Sequence, residues 1–272
     1  MNRKAVPKQS PRRIGAAAAF IEDKLELGHV AFSKDELVRE TGLTPTAANF
    51  QLRRLGDRVL QTSARQAFYL IVGPEHRIVG APPPALWLDD YFKWLERPYY
   101  LALQSAAGCY GSNSQAVQIT QVITNRPWRA LRLGRLEIRF YVKQGMEQIP
   151  VNELERAVAP LRVSKPETTM FDLIVYANQI GGIGRAAETI APLLPQISIT
   201  GLKEALKREN RVGAAQRLGF LLETMNETKL AAVVMDWLPS TLKVVRLSTG
   251  TRMNKNRIDK HWKVLRTSEE FK

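Results

Sequence analysis

The sequence predicts an α+β fold: a small helix–turn–helix module, then a mixed α+β part that becomes mainly helical towards the C-terminus. Three observations predict it. Residues 33–58 hold two short helical patterns around a tight turn, and an apolar ribbon follows over 59–72. Pro82, Pro83 and Pro84 then interrupt the chain, and a run of prolines is stiff, extended and unable to continue a helix. Beyond them, strand-like segments over 117–142 give way to helical periodicity over 165–240.

Residues 1–13 carry Arg3, Lys4, Lys8, Arg12 and Arg13 and no acid, which describes a basic arm. A first helix is expected over 11–27, where Ile14, Ala17, Ala18, Ile21 and Leu25 recur at helical spacing. Val30–Phe32 reads as a short strand. Ser33 and Glu36 form a capping box for a second helix to Glu40, which Gly42 ends. Thr44 caps a third helix, with Pro45 at its first position, where a missing N–H costs nothing. That helix runs to about Arg58 and buries Ala48, Leu52 and Leu55. Two strands, Val59–Leu60 and Ala67–Val72, flank the polar tip Gln61–Gln66. This order is that of a winged helix-turn-helix, expected over 14–80.

A second domain is expected over 85–272. Leu86–Arg97 and Tyr99–Cys109 read as helices, the first bearing Trp87, Tyr91 and Trp94. Val117–Thr124 reads as a strand, and Trp128–Leu133 with Leu136–Val142 as a hairpin through Gly134 and Arg135. Five helices are expected over Pro166–Ile180, Gly184–Leu194, Ile199–Arg208, Ala214–Met225 and Leu230–Leu238. Ser164 and Glu167 read as a second capping box, sending Phe171, Leu173 and Ile174 to the core.

Composition narrows the function. The 272 residues carry a formal charge of +14, and a globular protein with that excess attracts polyanions: DNA, RNA or an acidic protein. The single cysteine, Cys109, excludes an intramolecular disulfide and a thiolate cluster within one chain. His29, His76 and His261 lie far apart, so no metal site and no cofactor is expected. No run approaches the ~20 apolar residues of a membrane span, and no secretory signal follows the basic arm, so a cytoplasmic protein is expected. No catalytic residues are assigned. Ser105, Ser112 and Ser114 have no neighbouring histidine, and Asp89 and Asp90 lack the spaced acidic partner that a magnesium site needs. Glu167 and Asp172, five apart on a helix, point about 140° away from each other.

The third helix has the chemistry of a groove reader. With Ala48, Leu52 and Leu55 inward, Thr46, Asn49, Phe50, Arg53 and Arg54 face outward. Asparagine pairs with adenine and arginine with guanine, while Phe50 suits a thymine methyl. Thr44 and Thr46 at the helix N-terminus can donate to phosphate. Arg65 and Gln66 in the wing, and Arg12 and Arg13 in the arm, complete the candidate DNA contacts. The alternative for the outward stripe is an ordinary polar face with Phe50 packed on a neighbouring domain.

Charge clusters again over 126–143, where Arg126, Arg129, Arg132, Arg135, Arg139 and Lys143 stand against Glu137 alone, and over 243–272, with nine Lys/Arg against Asp259, Glu269 and Glu270. In the hairpin, period two places Arg135, Glu137, Arg139 and Tyr141 on one face, opposite Leu136, Ile138 and Phe140. That face reads either as a phosphate or carboxylate contact or as a solvated surface.

The stretches RPYYLALQSAAGCYG, VQITQVITNRPWRALRLGRLEIRFYV, LRVSKPETTMFDLIVY and QRLGFLLE, following such a module, resemble the AbiEi antitoxins of type IV toxin–antitoxin and abortive-infection (phage-defence) systems. The resemblance covers about residues 11–240. It implies an N-terminal domain that binds inverted repeats in its own promoter and represses the operon. It also implies a C-terminal antitoxin domain that counters an AbiEii-like nucleotidyltransferase toxin without need of a stable complex. Arg132, Arg135 and Arg139 are then the candidate antitoxin surface. The rival readings are a nucleic-acid-processing enzyme and an RNA-binding protein, each using the winged helix for delivery.

Overall fold

The computed structural model describes residues 15–112, 119–154, 160–249 and 257–266. The chain is α+β and divides into two compact units, the first running to Trp94 and including the hairpin tip Leu133–Arg135, the second taking the remainder. The basic arm, with Arg12 and Arg13, lies outside the described residues, as does Ser114.

The first unit follows its local signals closely. Helix α1 (Ala16–Glu26) leads to strand β1 (Ala31–Ser33) and helix α2 (Lys34–Thr41). Ser33 Oγ accepts from the Glu36 N–H, and the Glu36 carboxylate accepts from the Ser33 N–H, so the capping box is complete. Gly42 takes φ +67°, the left-handed end that glycine permits. Thr44 Oγ1 caps helix α3 (Pro45–Leu55) by accepting from the Ala47 N–H at 3.2 Å. Strands β2 (Val59–Ser63) and β3 (Gln66–Ile71) complete an antiparallel sheet in the order β1-β3-β2. Phe20, Ile21, Phe32, Leu37, Ala48, Leu52 and Ile71 form its core. Gln51 locks α3 to α1, its Oε1 accepting from the Ala17 N–H at 2.8 Å, which satisfies an open donor in the first turn of α1.

The first unit continues past the prolines. Helix α4 is Leu88–Trp94, shorter than the expected 86–97. Tyr91 and Trp94 set their rings 5.3 and 5.4 Å from Phe68 of β3, and the Trp87 indole donates to the Pro82 carbonyl at 3.0 Å. Trp87 and Tyr91 are therefore core residues, and a fragment beginning at residue 85 carries α4 away from the sheet that buries it.

The second unit is a six-stranded mixed sheet with helices. Its strands are β4 (Tyr99–Leu101), β5 (Ile119–Thr124), β6 (Leu131–Leu133), β7 (Leu136–Val142), β8 (Val151–Leu154) and β9 (Leu161–Ser164), in the order β6-β7-β5-β4-β9-β8. β4 runs antiparallel to β5 and parallel to β9, and β5 runs parallel to β7. Helix α5 is Leu103–Cys109. Helices α6 (Pro166–Val175), α7 (Ile183–Ile190), α8 (Ile199–Glu209), α9 (Val212–Thr224) and α10 (Thr228–Trp237) follow. Phe171, Leu173 and Ile174 are fully buried with Leu218, Leu221 and Val234. Short strands β10 (Val245–Arg246) and β11 (Val264–Leu265) pair in parallel.

Three expectations are corrected here. Tyr99–Cys109 is not one helix: its first three residues are strand β4, because pairing with β5 on one side and β9 on the other outweighs local helical spacing. Ser164 is not a cap: it ends β9, its Oγ lies 2.7 Å from Thr169 Oγ1, and Lys165 holds the cap position. That shift places Glu167 one residue too early to answer a cap. Its Oε1 instead accepts from both the N–H and the Oγ of Ser198 at 2.9 Å, fixing the start of α8. Tyr141 is not on the outer face of the hairpin: it is 7% exposed and packs edge-to-face on Tyr176 at 5.5 Å.

Candidate nucleic-acid interface

Helix α3 presents the expected stripe. Thr46, Asn49, Phe50, Arg53 and Arg54 are all exposed, while Ala48 and Leu52 are buried beneath them. The stripe divides into two parts. Asn49 and Arg53, one helical turn apart, line a groove of about 500 Å³ between α3 and the β2–β3 wing, with Lys34, Gln61, Arg65 and Tyr69 among its walls. Phe50 and Arg54 turn instead to a smaller pocket of about 310 Å³ beside Gly15 and Gln51. There the Arg54 guanidinium lies 5.9 Å from the Phe50 ring centre. Asn49, Arg53 and Arg65 are thus brought together, and Phe50 and Arg54 are not brought with them.

The groove is cationic. Lys34, Arg53 and Arg65 line it, and no carboxylate is among its lining residues. Asn49 and Gln61 add amide donors and acceptors. Burial pushes the Tyr69 phenol up, so it stays neutral and able to donate. At the head of the helix Thr44 uses its hydroxyl oxygen as the cap acceptor, which leaves the hydroxyl hydrogen to donate. Lys34, Gln61 and Tyr69 escaped the sequence reading. A signal existed for Lys34, which follows the Ser33 cap directly, and for Gln61, which alternates outward on β2.

Gln66 lines the same groove but is 8% exposed, its Oε1 accepting from Thr62 Oγ1 at 3.2 Å and from the Tyr91 hydroxyl at 3.0 Å. Its oxygen thus braces the β2–β3 hairpin against α4, while the residue still forms part of the groove wall.

The candidate antitoxin arginines also separate. Arg132, Arg135 and Arg139 are all exposed, but Arg135 falls in the hairpin tip grouped with the first unit. The Arg139 Nε donates to Glu137 Oε1 at 2.7 Å. That contact holds the Glu137 carboxyl below its usual range, and it neutralises Arg139 on its own strand face.

Lys143, read as part of the basic run, is buried at 2% exposure. Its Nζ donates to Asp172 Oδ1 at 2.6 Å, to Glu209 and, at 3.2 Å, to the Tyr100 hydroxyl. The Tyr100 hydroxyl in turn donates to Asp172 Oδ2 at 3.0 Å. Four side chains thus tie β4, the end of β7, α6 and α8 together. Burial alone lowers the Lys143 ammonium, but Asp172 and Glu209 outweigh it and hold the group above its usual value. One cation cannot compensate two carboxylates, so burial and the charge of Asp172 leave Glu209 raised. Burial and the same two carboxylates push Tyr100 well above the usual phenol range. Nothing in the spacing of these residues announced the cluster.

Among the described residues no group of three His, Cys, Asp or Glu side chains is placed to hold a metal ion, and no helix is long and apolar enough to cross a membrane. The Asp89 carboxylate, 3% exposed on its side chain, meets Lys93 Nζ at 2.6 Å.

No curated protein matches this sequence. In structure the chain is similar to the RV2827C protein from Mycobacterium tuberculosis, with a TM-score of 0.66, 18% identity, and coverage of 95% of this chain and 94% of that one. At that identity the likeness speaks for the fold. Residues 100–224 match the family described as AbiEi antitoxin C-terminal domain, a span that contains Tyr100, Lys143, Asp172 and Glu209. The second unit thus carries a match to the AbiEi antitoxin C-terminal domain, which supports an antitoxin role in a toxin–antitoxin or abortive-infection system.

Proposed function

We propose that the protein is a DNA-binding autorepressor and antitoxin. The first unit acts as a winged helix-turn-helix that holds inverted repeats of its own promoter, and the second unit counters a nucleotidyltransferase-like toxin. The observation that carries the DNA reading is the acid-free groove between α3 and the wing, with Asn49 and Arg53 on one wall and Arg65 on the other. Asn49 and Arg53 are suited to base edges, and Lys34, Arg65 and the Thr44 hydroxyl to phosphates. The toxin reading rests on the family of residues 100–224. Two boundaries suit this division: a basic arm over 1–13 and a unit boundary after α4, because α4 packs with the first unit.

Asn49→Ala with Arg53→Ala should weaken binding to promoter DNA by about 1–3 kcal/mol per lost base contact. Binding to random DNA should fall much less. Mobility shift on both duplexes measures the difference, and equal losses on the two would leave only phosphate contact.

A further inference from the structure

The β2–β3 wing has two faces. Gln61 and Tyr69, paired across the strands, line the groove at α3. Phe68 turns the other way, as its neighbour on a pleated strand must, and meets the Tyr91 and Trp94 rings of α4. Thr62 is buried with it. Strand β1 pairs with β3 only as far as Phe68. Beyond that residue the wing is a two-stranded ribbon, and such a ribbon has little stability of its own in water.

The ribbon's tip is braced at Gln66, the first residue of β3. The Tyr91 hydroxyl donates to Gln66 Oε1 at 3.0 Å, and the Thr62 hydroxyl donates to the same oxygen at 3.2 Å. The Thr62 hydroxyl also has the Phe68 carbonyl at 3.2 Å, so its one hydrogen is divided between two acceptors. Gln61 Nε2 donates to the Gln66 carbonyl at 2.7 Å. Of these partners Tyr91 alone comes from outside the ribbon, and it is a fixed point. Its ring is fully buried, 5.3 Å from Phe68 and 5.9 Å from Trp87. Arg65, the residue before Gln66, is exposed and lines the groove. A long side chain on a held backbone loses less freedom on binding than one on a loose tip.

We infer that Tyr91 is a positioning residue for DNA binding: through Gln66 its hydroxyl holds the wing tip where Arg65 can meet a phosphate of the duplex, an inference that rests on the DNA reading proposed above. Helix α4, beyond the three prolines, is then a working part of the binding unit and not a spacer.

The test uses the full chain with Tyr91→Phe, which keeps the ring and removes the hydroxyl alone. Arg65→Gln and the double variant complete a cycle. Affinity for a promoter duplex and for a random-sequence duplex is measured against salt, and amide hydrogen exchange is followed in the free proteins. Tyr91→Phe should lose about threefold to tenfold on both duplexes, since a phosphate contact carries no sequence information. Its slope of log K against log salt should become shallower by about 1, as loss of one phosphate contact requires. Its amides at the wing tip should exchange faster, while those of α3 keep the parent's protection. On the Arg65→Gln background Tyr91→Phe should cost little more. A change that only weakened the fold would act alike on both backgrounds and leave the slope alone. Parental affinity and slope, unchanged exchange at the tip, or an additive cycle would each overturn this inference and leave the DNA reading standing. A parent that binds neither duplex would overturn the DNA reading, and this inference with it.

Discussion

Replacing Lys143 with methionine is expected to destabilise the protein by about 3–5 kcal/mol, the range for breaking a buried ion pair by removing one partner. The substitution leaves Asp172 and Glu209 facing each other in the core, and the Tyr100 hydroxyl cannot compensate two carboxylates. The loss should depend on pH, and the sign follows from Glu209. Its folded value lies above its usual one, so the folded chain holds a proton where the unfolded chain has released it. Stability from that group is therefore fullest at acid pH and declines as pH rises through the folded value. Without the lysine the penalty grows, so the deficit of the variant should be largest near neutral pH and shrink on acidification. Lys143 acts in the opposite range: held above its usual value, it stabilises at neutral pH, and its contribution is lost when alkaline pH passes its folded value. Urea unfolding of both proteins at neutral and mildly acid pH measures this. A deficit under about 1 kcal/mol, or one independent of pH, would mean that water reaches the cluster and screens it.

The second large effect is expected where Trp262 packs on α9. Trp262→Ala removes a side chain that is 1% exposed and should cost about 3–5 kcal/mol, as large aromatic truncations in cores do. Gly219→Ala approaches the same contact from the other side. A Cβ at Gly219 would lie 1.9 Å from Trp262 Cζ3 and 2.2 Å from Cη2, so the ring must leave its seat. Helix propensity favours alanine over glycine by about 1 kcal/mol, but overpacking typically costs 1–3 kcal/mol, and displacement of the ring adds to that. The expected net result is a loss of stability together with increased tryptophan solvent exposure in the fluorescence spectrum. A stabilised Gly219→Ala protein with an unchanged spectrum would show that the indole is not held against α9.

The parts of this structure that were legible in the sequence are those fixed by neighbours in the chain. Ser33 and Glu36, Gly42, and Thr44 with Pro45 each act within four residues, and each sits where its chemistry requires. The helices from 166 to 238 were legible for the same reason, because an apolar stripe at helical spacing is local information. Strand β4 was hidden because its pairing partners lie across the sheet, in β5 and β9. The spacing of Gln66 suggested an exposed wing-tip residue, but Tyr91, arriving from beyond the three prolines, donates to its Oε1 and leaves it mostly buried. Lys143 looked like one more surface cation, and only the fold shows Asp172 and Glu209 arriving from α6 and α8 to meet it. On the candidate interface, period alone placed Asn49, Phe50, Arg53 and Arg54 on the outer face. The split between a groove with Asn49 and Arg53 and a pocket with Phe50 and Arg54 required the positions of the wing and of α1.

On the proposed reading, promoter binding and toxin neutralisation belong to different units. Measuring both in the same cells for the full chain carrying Asn49→Ala and Arg53→Ala separates the two roles. A reporter under the protein's own promoter reads repression, and growth on induction of the cognate nucleotidyltransferase-like toxin reads neutralisation. These side chains are exposed on α3, so the variant should fold and accumulate like the parent. Lost repression with full rescue of growth is the expected result. Loss of both together in a folded protein at normal abundance, or repression undiminished, would contradict it.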